Sequence, residues 1–299
     1  MNNPIISVVG LGKMGLGIYK RLRNENIILY GYDNNSKIIK NNTYINFLEI
    51  EKLLELSDLV LFVVPSNDEI FNIIKKFKLK KNSVLLDLTT SMPDQTIKIK
   101  KYLSKKNVEY FDAAMSGGSN GANNGTLTLM VGARETQLNK YKSVLDKISQ
   151  NIFFYGKVGS GHSMKLLHNS VCHGIFLMMC EIGHLGEEMG IKLNDLIETF
   201  NVSNARSFIS EHRFPNHILN NKFDGNSYLK NLKKDLDMIE SISNKSKNSN
   251  NYIQLTNKLL KNIDLHEEDF TKIINWCLNY YNKTNYKFNH FSLRMTCLD

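Results

Sequence analysis

The first half of the chain alternates short apolar runs with amphipathic segments, and this alternation limits the folds open to it. The apolar runs are rich in β-branched and aromatic residues and end at Gly, Pro or Asp: Ile5–Val9, Ile27–Tyr32, Leu59–Val64, Val84–Leu88 and Glu109–Asp112. Helical periodicity marks the segments between them: Met14–Asn24, Ile50–Leu56, Glu69–Lys76 and Gln95–Lys105. This order predicts a parallel sheet with helices on both faces, a doubly wound α/β domain.

The pattern continues through two more strand-like runs and then changes. Thr126–Val131 and Ile152–Tyr155 enclose a predicted helix over Glu135–Ile148. From Ser163 to Met189 apolar residues recur at helical spacing without a proline, which predicts one helix of roughly 40 Å at 1.5 Å per residue. The rest is also typical of helices, with turns expected at Gly190, near Pro215 and at Lys245–Asn251. We therefore predict two domains, 1–162 and 163–299, the second all-α and opening with the long inter-domain helix.

A glycine-rich sequence lies where the first strand meets the first helix. Gly10, Gly12 and Gly15 form a GxGxxG pattern in GLGKMG. The pattern alone is weak, but between a strand and a helix each glycine has a task. Gly10 permits the turn, Gly12 lets the backbone approach a pyrophosphate, and Gly15 lets the helix pack on the strand. The helix N-terminus then offers free N–H groups to phosphates, so we predict a Rossmann-type dinucleotide site.

Asp33 stands at the end of the second strand, eighteen residues beyond Gly15. An acidic residue there accepts hydrogen bonds from the adenosine ribose and repels the additional phosphate of NADP. Asn34 and Asn35 follow it, with no arginine to hold that phosphate. The sequence therefore predicts NAD as the cofactor, in preference to NADP.

Small residues dominate the segment that follows the fifth strand. Ser116, Gly117 and Gly118 are followed by Gly121 and Gly125. Successive backbone N–H groups in such a turn can hold a carboxylate, although the composition fits a plain loop between strands equally well.

Lys165 and Asn169 lie four residues apart on the predicted long helix, so their side chains share one face. A lysine in the first turn of a helix, partly desolvated, is expected to have a lowered pKa, which suits proton transfer near neutral pH. Local physics alone leaves open a surface lysine beside a capping residue.

Composition excludes several other classes of protein. The formal charge is +9, but the lysines are spread along the chain and mixed with Asn, Asp and Glu, which is not typical of a nucleic-acid binder. No apolar stretch is long enough for a membrane span. Cys172, Cys180, Cys277 and Cys297 form no CxxC pair, so we expect reduced thiols and a cytoplasmic protein. His168 and Cys172 are spaced as an i,i+4 metal pair, but no second pair accompanies them, and we predict no metal.

The motifs together resemble the β-hydroxyacid dehydrogenase family, which includes 3-hydroxyisobutyrate dehydrogenase and, more distantly, 6-phosphogluconate dehydrogenase. The resemblance is carried by GLGKMG, DAAMSGGSNGANNGTLTLMVGA, GSGHSMKLLHN and LKKDL, in the expected order. It implies that Lys165 is the general acid/base, that Ser116, Gly117 and Gly118 hold the substrate carboxylate, and that Asn169 orients the substrate. It also implies a set of residues lining the cofactor: Met14, Val64, Pro65, Thr90 and Lys234.

Departures from the family pattern define the alternatives. His168 stands where the hydroxyisobutyrate branch usually has Asn, a form that resembles the 6-phosphogluconate branch. That branch has an acidic residue where this chain has Cys172, and a DGGNS loop where this chain has DLTTS at 87–91. We therefore favour hydride transfer on a small β-hydroxy acid over oxidative decarboxylation. A nucleotide-bound scaffold and an imine reductase are further alternatives, against which Lys165 argues. Because family members commonly pair through such helices, we expect a homodimer or homotetramer.

Overall fold

A computed structural model describes residues 3–23, 26–247, 250–263 and 267–275. Its seven strands form one sheet in the order β2-β1-β3-β4-β5-β6-β7. They are β1 (Ile5–Val9), β2 (Ile28–Tyr32), β3 (Leu59–Phe62), β4 (Val84–Asp87), β5 (Glu109–Ser116), β6 (Leu127–Val131) and β7 (Ser149–Phe154). Every neighbouring pair is parallel except β5 and β6, which are antiparallel. The predicted strands are all present.

Helices cover both faces of the sheet, because the buried strands are apolar on both sides. In β3, Leu59 and Leu61 join one core cluster, and Val60 and Phe62 join the other. The first cluster includes side chains from α1 (Lys13–Leu22), α6 (Gly118–Asn124), α7 (Glu135–Leu138) and α8 (Lys142–Ile148). The second includes side chains from α3 (Ile50–Leu56), α4 (Asn67–Lys76) and α5 (Pro93–Ser104). The predicted doubly wound sheet is confirmed.

The strand order reverses between β1 and β3. The chain leaves β1 for β2 on one side and then returns to place β3 on the other side. In open α/β sheets a ligand binds at such a switch point, outside the carboxyl ends of the strands. The loops after β1 and β3 therefore form the edge where a site is expected.

Some local elements differ from the prediction. A short helix, α2 (Ser36–Asn41), follows β2, where no helix was predicted. Strand β5 runs on to Ser116 because its second half pairs with β6. The segment predicted as one helix over Glu135–Ile148 is broken by a 3₁₀ turn at Asn139–Tyr141, where Tyr141 is buried and its hydroxyl donates to the Asp58 carbonyl.

The remaining elements are helical, as predicted. They are α9 (Ser160–Glu188), α10 (Leu193–Asn201), a π-type helix (Ile209–Ile218), α11 (Leu229–Ser243), α12 (Asn251–Lys261) and a 3₁₀ turn at Phe270–Lys272. Gly190 forms the predicted turn with a φ of +83°. The turn predicted near Pro215 is wrong, because Pro215 lies inside the π-type helix. Pro215 supplies no N–H donor, so the helix lacks one backbone hydrogen bond at that position.

The chain packs into two compact units. The first contains the residues up to Ser170 together with Asp235–Lys247, and the second contains Val171–Lys234 and the described residues from 250 onward. In the second unit Phe176 packs against Phe214 and Phe270, with ring centroids 6.3 and 5.1 Å apart. The domain boundary near residue 162 stays a prediction; α9 runs through that point without a break.

No helix within the described ranges is long and apolar enough to span a membrane. Cys172 and Cys180 are thiols that form no disulfide, whereas Cys277 and Cys297 lie outside the described residues.

Candidate active site

The glycine loop connects β1 to α1, and each glycine has a distinct structural reason. Gly10 has a φ of +93°, and a Cβ there would lie 2.3 Å from the Val63 carbonyl oxygen at the end of β3. A Cβ on Gly15 would lie 1.8 Å from the Gly10 carbonyl oxygen, so only glycine allows α1 to pack this closely. A Cβ on Gly12 would meet nothing within 4 Å. The loop is therefore packed behind Gly10 and Gly15 and open at Gly12, as a pyrophosphate site requires.

Asp33 follows β2 and lies directly beside this loop. Its Oδ2 accepts a hydrogen bond of 2.7 Å from the Leu11 N–H, and its Oδ1 accepts one of 2.8 Å from the Asn35 N–H. A carboxylate has about four lone-pair sites, so both oxygens can still accept from ribose hydroxyls. The residues at this edge therefore fit a dinucleotide, and the ribose role of Asp33 stays a prediction.

The other cofactor residues predicted in the first unit lie either in α1 or just after a strand. Met14 is half-buried in α1, Val64 and Pro65 follow β3, and Thr90 follows β4. Parallel strands bring their carboxyl ends to one edge, so these positions lie along the same edge as Gly10. Lys234 belongs to the second compact unit, and its role stays a prediction.

The Ser116–Gly118 segment forms the end of β5 and the start of α6 rather than an irregular loop. Gly117, with a φ of +124°, is the N-cap of α6, and Gly118 has a φ of +61°. These conformations favour glycine, which explains the residue types. Ser116 is the last residue of β5 and pairs with Thr128 of β6.

Lys165 and Asn169 lie on α9, and both are buried, with 8% and 7% of their surface exposed. The sequence predicted Lys165 in the first turn of this helix. The helix begins at Ser160, so Lys165 lies in the second turn and that prediction is wrong. The field of a helix terminus falls off within the first turn, so the predicted effect of the helix dipole on Lys165 is weaker than expected.

A chain of polar contacts joins the serine to the helix. Ser116 Oγ lies 3.4 Å from His168 Nε2, and His168 Nδ1 lies 2.9 Å from Asn169 Oδ1. The amide Nδ2 of Asn169 donates to Asp235 Oδ2 at 2.6 Å. Burial, together with the charge of Lys165, lowers the pKa of His168, and the hydrogen bond to Asn169 opposes this. Two motifs far apart in sequence therefore meet at His168, three residues after Lys165.

Two acidic residues here were missed by sequence reasoning. Asp235 follows Lys234 in the KKDL motif, and its place directly after a predicted cofactor residue was the available indication. Asp112 is fully buried in β5, and its two oxygens accept hydrogen bonds from the backbone N–H groups of Gly159 (2.7 Å) and His162 (2.8 Å). Asp112 thus caps the start of α9. The indication was a carboxylate inside an otherwise apolar strand.

A buried polar cluster lies next to this cap. His162 Nδ1 is 2.7 Å from Thr96 Oγ1, and its Nε2 is 3.8 Å from Asp87 Oδ2. The same Asp87 oxygen accepts from the Tyr110 hydroxyl at 2.6 Å, and burial next to this carboxylate raises the pKa of Tyr110 well above its usual value. The cluster connects the end of β4 to the first turn of α9. Within the described ranges, no three His, Cys, Asp or Glu side chains are grouped to hold a metal ion.

The fold and the glycine loop define a dinucleotide-binding oxidoreductase. Residues 5–156 match the model of the NAD-binding domain of 6-phosphogluconate dehydrogenase, and residues 159–277 match that of the NAD-binding domain of NADP-dependent 3-hydroxyisobutyrate dehydrogenase. The chain belongs to the β-hydroxyacid dehydrogenase family, and it is an NAD(P)-dependent enzyme of that family.

Individual relatives agree with this placement. The chain is 27% identical to 2-(hydroxymethyl)glutarate dehydrogenase of Eubacterium barkeri, over 74% of this chain and 76% of the relative. It is 29% identical to the mitochondrial 3-hydroxyisobutyrate dehydrogenase of Drosophila melanogaster, over 69% of this chain and 65% of the relative. The structure of 3-hydroxyisobutyrate dehydrogenase from Mycobacterium tuberculosis superposes with a TM-score of 0.83 at 18% identity, covering 92% of this chain and 99% of that one.

Proposed function

We propose that this enzyme transfers hydride between NAD and a small β-hydroxy acid resembling 3-hydroxyisobutyrate, or its semialdehyde, with Lys165 as general acid/base. One observation carries the proposal. The Ser116 segment, from β5, and the Lys165–Asn169 segment, from α9, are joined through His168, although 52 positions separate Ser116 from His168. A hydroxy acid requires a group that binds its carboxylate and an amine near its hydroxyl, and His168 connects the proposed carboxylate segment to the part of α9 that carries Lys165.

The chain's own residues divide the work in this reaction. Bound cofactor would supply the hydride chemistry, as acceptor when the hydroxy acid is oxidised and as donor when the semialdehyde is reduced. The Ser116–Gly118 segment holds the carboxylate, and Asn169 orients the substrate beside the amine. Lys165 Nζ removes the hydroxyl proton during oxidation and returns it during reduction. Because Lys165 is buried, little water is available to compete with its amine for that proton.

Matched assays distinguish this proposal from its alternative. The alternative is oxidative decarboxylation of a 6-phosphogluconate-like substrate, which the His168–Asn169 pair favours and Cys172 opposes. Purified enzyme with NAD should reduce the cofactor with 3-hydroxyisobutyrate or 2-(hydroxymethyl)glutarate and release no CO₂. Reduction with 6-phosphogluconate accompanied by equimolar CO₂ would establish the alternative.

Asp33→Ala is expected to relax the choice of cofactor. The ratio of kcat/KM for NAD to that for NADP should fall about tenfold or more, because the ribose loses an acceptor and the additional phosphate loses a repulsive charge. Steady-state kinetics with both cofactors measure the ratio. Asp33→Asn, which keeps an acceptor without the charge, separates the two contributions, and Asp195→Ala, an exposed change on α10, is the control. An unchanged ratio in Asp33→Ala would contradict the ribose assignment.

We also propose that the enzyme is a homo-oligomer, assembled through an apolar stripe on α9 and the residue after it. Large exposed apolar side chains recur there at helical spacing: Val171, Met178, Ile182, Leu185 and Met189. A stripe of this kind marks a protein–protein interface in many proteins, and the resemblance to the family favours a second copy of this chain as the partner. A cytoplasmic location stays a prediction from the cysteine pattern.

Leu185→Glu is expected to reduce the assembly to single chains, because it places a charge within the stripe that a second copy would cover. Sedimentation velocity at several protein concentrations measures the mass. The control is Ile28→Glu, which changes an exposed apolar residue on the edge strand β2. A wild-type protein that sediments as one chain at all concentrations would contradict the proposal.

A further inference from the structure

The side chains of Ser116, His168, Asn169 and Asp235 form a relay, that is, a series of hydrogen bonds in which each donor faces the next acceptor. Asp235 and Asn169 are buried, with 8% and 7% of their surface exposed, and their side chains are 2.6 Å apart. His168 lies between Asn169 and Ser116, at 2.9 and 3.4 Å. All four residues belong to the first compact unit.

The chemistry of each group determines the direction of the relay. An ionised carboxylate has no proton to donate, so Asp235 can only accept, and the NH₂ group of Asn169 must face it. The Asn169 oxygen therefore faces His168 Nδ1, and Nδ1 must carry the proton. In a neutral imidazole the other nitrogen is then an acceptor, so His168 Nε2 accepts from the Ser116 hydroxyl.

The neutral ring is the relevant form near neutral pH. Burial removes His168 from water and Lys165 adds a positive charge nearby, and both lower the pKa of His168. The hydrogen bond to Asn169 acts in the opposite direction but is the smallest of the three effects. The tautomer of the ring, and not its charge, is therefore what the surrounding groups select.

We propose that Asp235 is a positioning residue that acts through Asn169 to hold His168 as the Nδ1–H tautomer, which fixes the Ser116 hydroxyl as a donor to His168 Nε2. The Ser116 oxygen can then only accept from the substrate, so the substrate carboxylate would be held by the backbone N–H groups of the Ser116–Gly118 segment and not by the Ser116 hydroxyl. The consequence for substrate binding rests on the proposed function, whereas the tautomer does not.

The tautomer can be measured directly. In protein labelled with ¹⁵N-histidine, two-bond ¹H–¹⁵N correlation spectra show which nitrogen of each neutral ring carries the proton. The His168→Asn variant identifies the His168 signals by their absence. We expect Nδ1–H in the wild type and a shift toward Nε2–H in Asp235→Ala. Asp235→Asn, whose amide oxygen can still accept from Asn169, should retain Nδ1–H, and Asp237→Asn, at an exposed position on α11, should change nothing.

Two results would overturn the proposal: His168 as Nε2–H in the wild type, or an unchanged His168 spectrum in folded Asp235→Ala. If Asp235→Ala does not fold, Asp235→Leu together with the wild-type spectrum decides the question in the same way. Circular dichroism establishes folding for each variant.

Kinetics provide a second readout on whichever hydroxy acid the wild type turns over. Asp235→Ala should lower kcat/KM about tenfold, the effect of a hydrogen bond or two, and Asp235→Asn should restore most of that loss. Equal losses in the Ala and Asn variants would contradict the relay. A wild type that turns over no hydroxy acid would instead overturn the proposed function and leave the tautomer result standing.

Discussion

Lys165→Met is expected to reduce kcat by about 10²- to 10⁴-fold, because general acid/base catalysis contributes on that scale. Methionine retains the unbranched stem of the lysine, so the buried position on α9 stays filled and only the proton-transferring amine is removed. NADH binding, measured by quenching of protein fluorescence, should change by less than about threefold, since the amine is assigned to chemistry. Single-turnover measurements with the best hydroxy acid provide the rate.

Lys192→Met is the matched control, because Lys192 is an exposed lysine that precedes α10. It should leave kcat and NADH binding unchanged. Activity of Lys165→Met within about tenfold of the wild type would reject Lys165 as the acid/base, since that is less than general acid/base catalysis ordinarily supplies.

The second large effect is expected at Asp112, which caps the helix carrying Lys165. Asp112→Ala leaves the buried N–H groups of Gly159 and His162 without their acceptor. Each unsatisfied buried group costs about 1–3 kcal/mol, so we expect the free energy of unfolding to fall by about 3 kcal/mol. Release of the start of α9 also displaces Lys165, and kcat/KM should fall about 10²-fold.

Asp112→Asn tests the physical reason. Asparagine retains one acceptor oxygen, so it should lose roughly half as much stability as alanine. Asp146→Ala is the control, since Asp146 forms only an exposed i,i+4 ion pair with Lys142 and should cost less than about 1 kcal/mol. Urea denaturation measures all three variants. A loss below about 1 kcal/mol in Asp112→Ala would show that the cap contributes little to stability.

Much of the first unit could be predicted from the sequence because its information is local. Strand β1, the glycine loop and Asp33 lie within one short stretch, and each has a residue type that its conformation requires. Gly10 is an example: its positive φ and its closeness to the Val63 carbonyl both exclude a side chain. Local pattern also placed Lys165 and Asn169 on one helix face.

Features that depend on distant partners could not be predicted in this way. Strand β5 extends to Ser116 only because β6 returns antiparallel beside it, and the local sequence does not record that pairing. The cap formed by Asp112 spans 47 positions to Gly159, and the contact of Asp235 with Asn169 spans 66. Pro215 shows the opposite failure, because a strong local preference for a turn is overridden by a π-type helix.

The first compact unit takes residues from two separated stretches of the chain, since Asp235–Lys247 belongs to it as well as the residues up to Ser170. During synthesis the glycine loop and Lys165 therefore leave the ribosome long before Asp235. A truncated protein ending at the first stretch would keep every motif of the nucleotide edge and still lack an acceptor for Asn169. Attempts to excise or exchange this half of the enzyme as a contiguous module should therefore also transplant Asp235–Lys247.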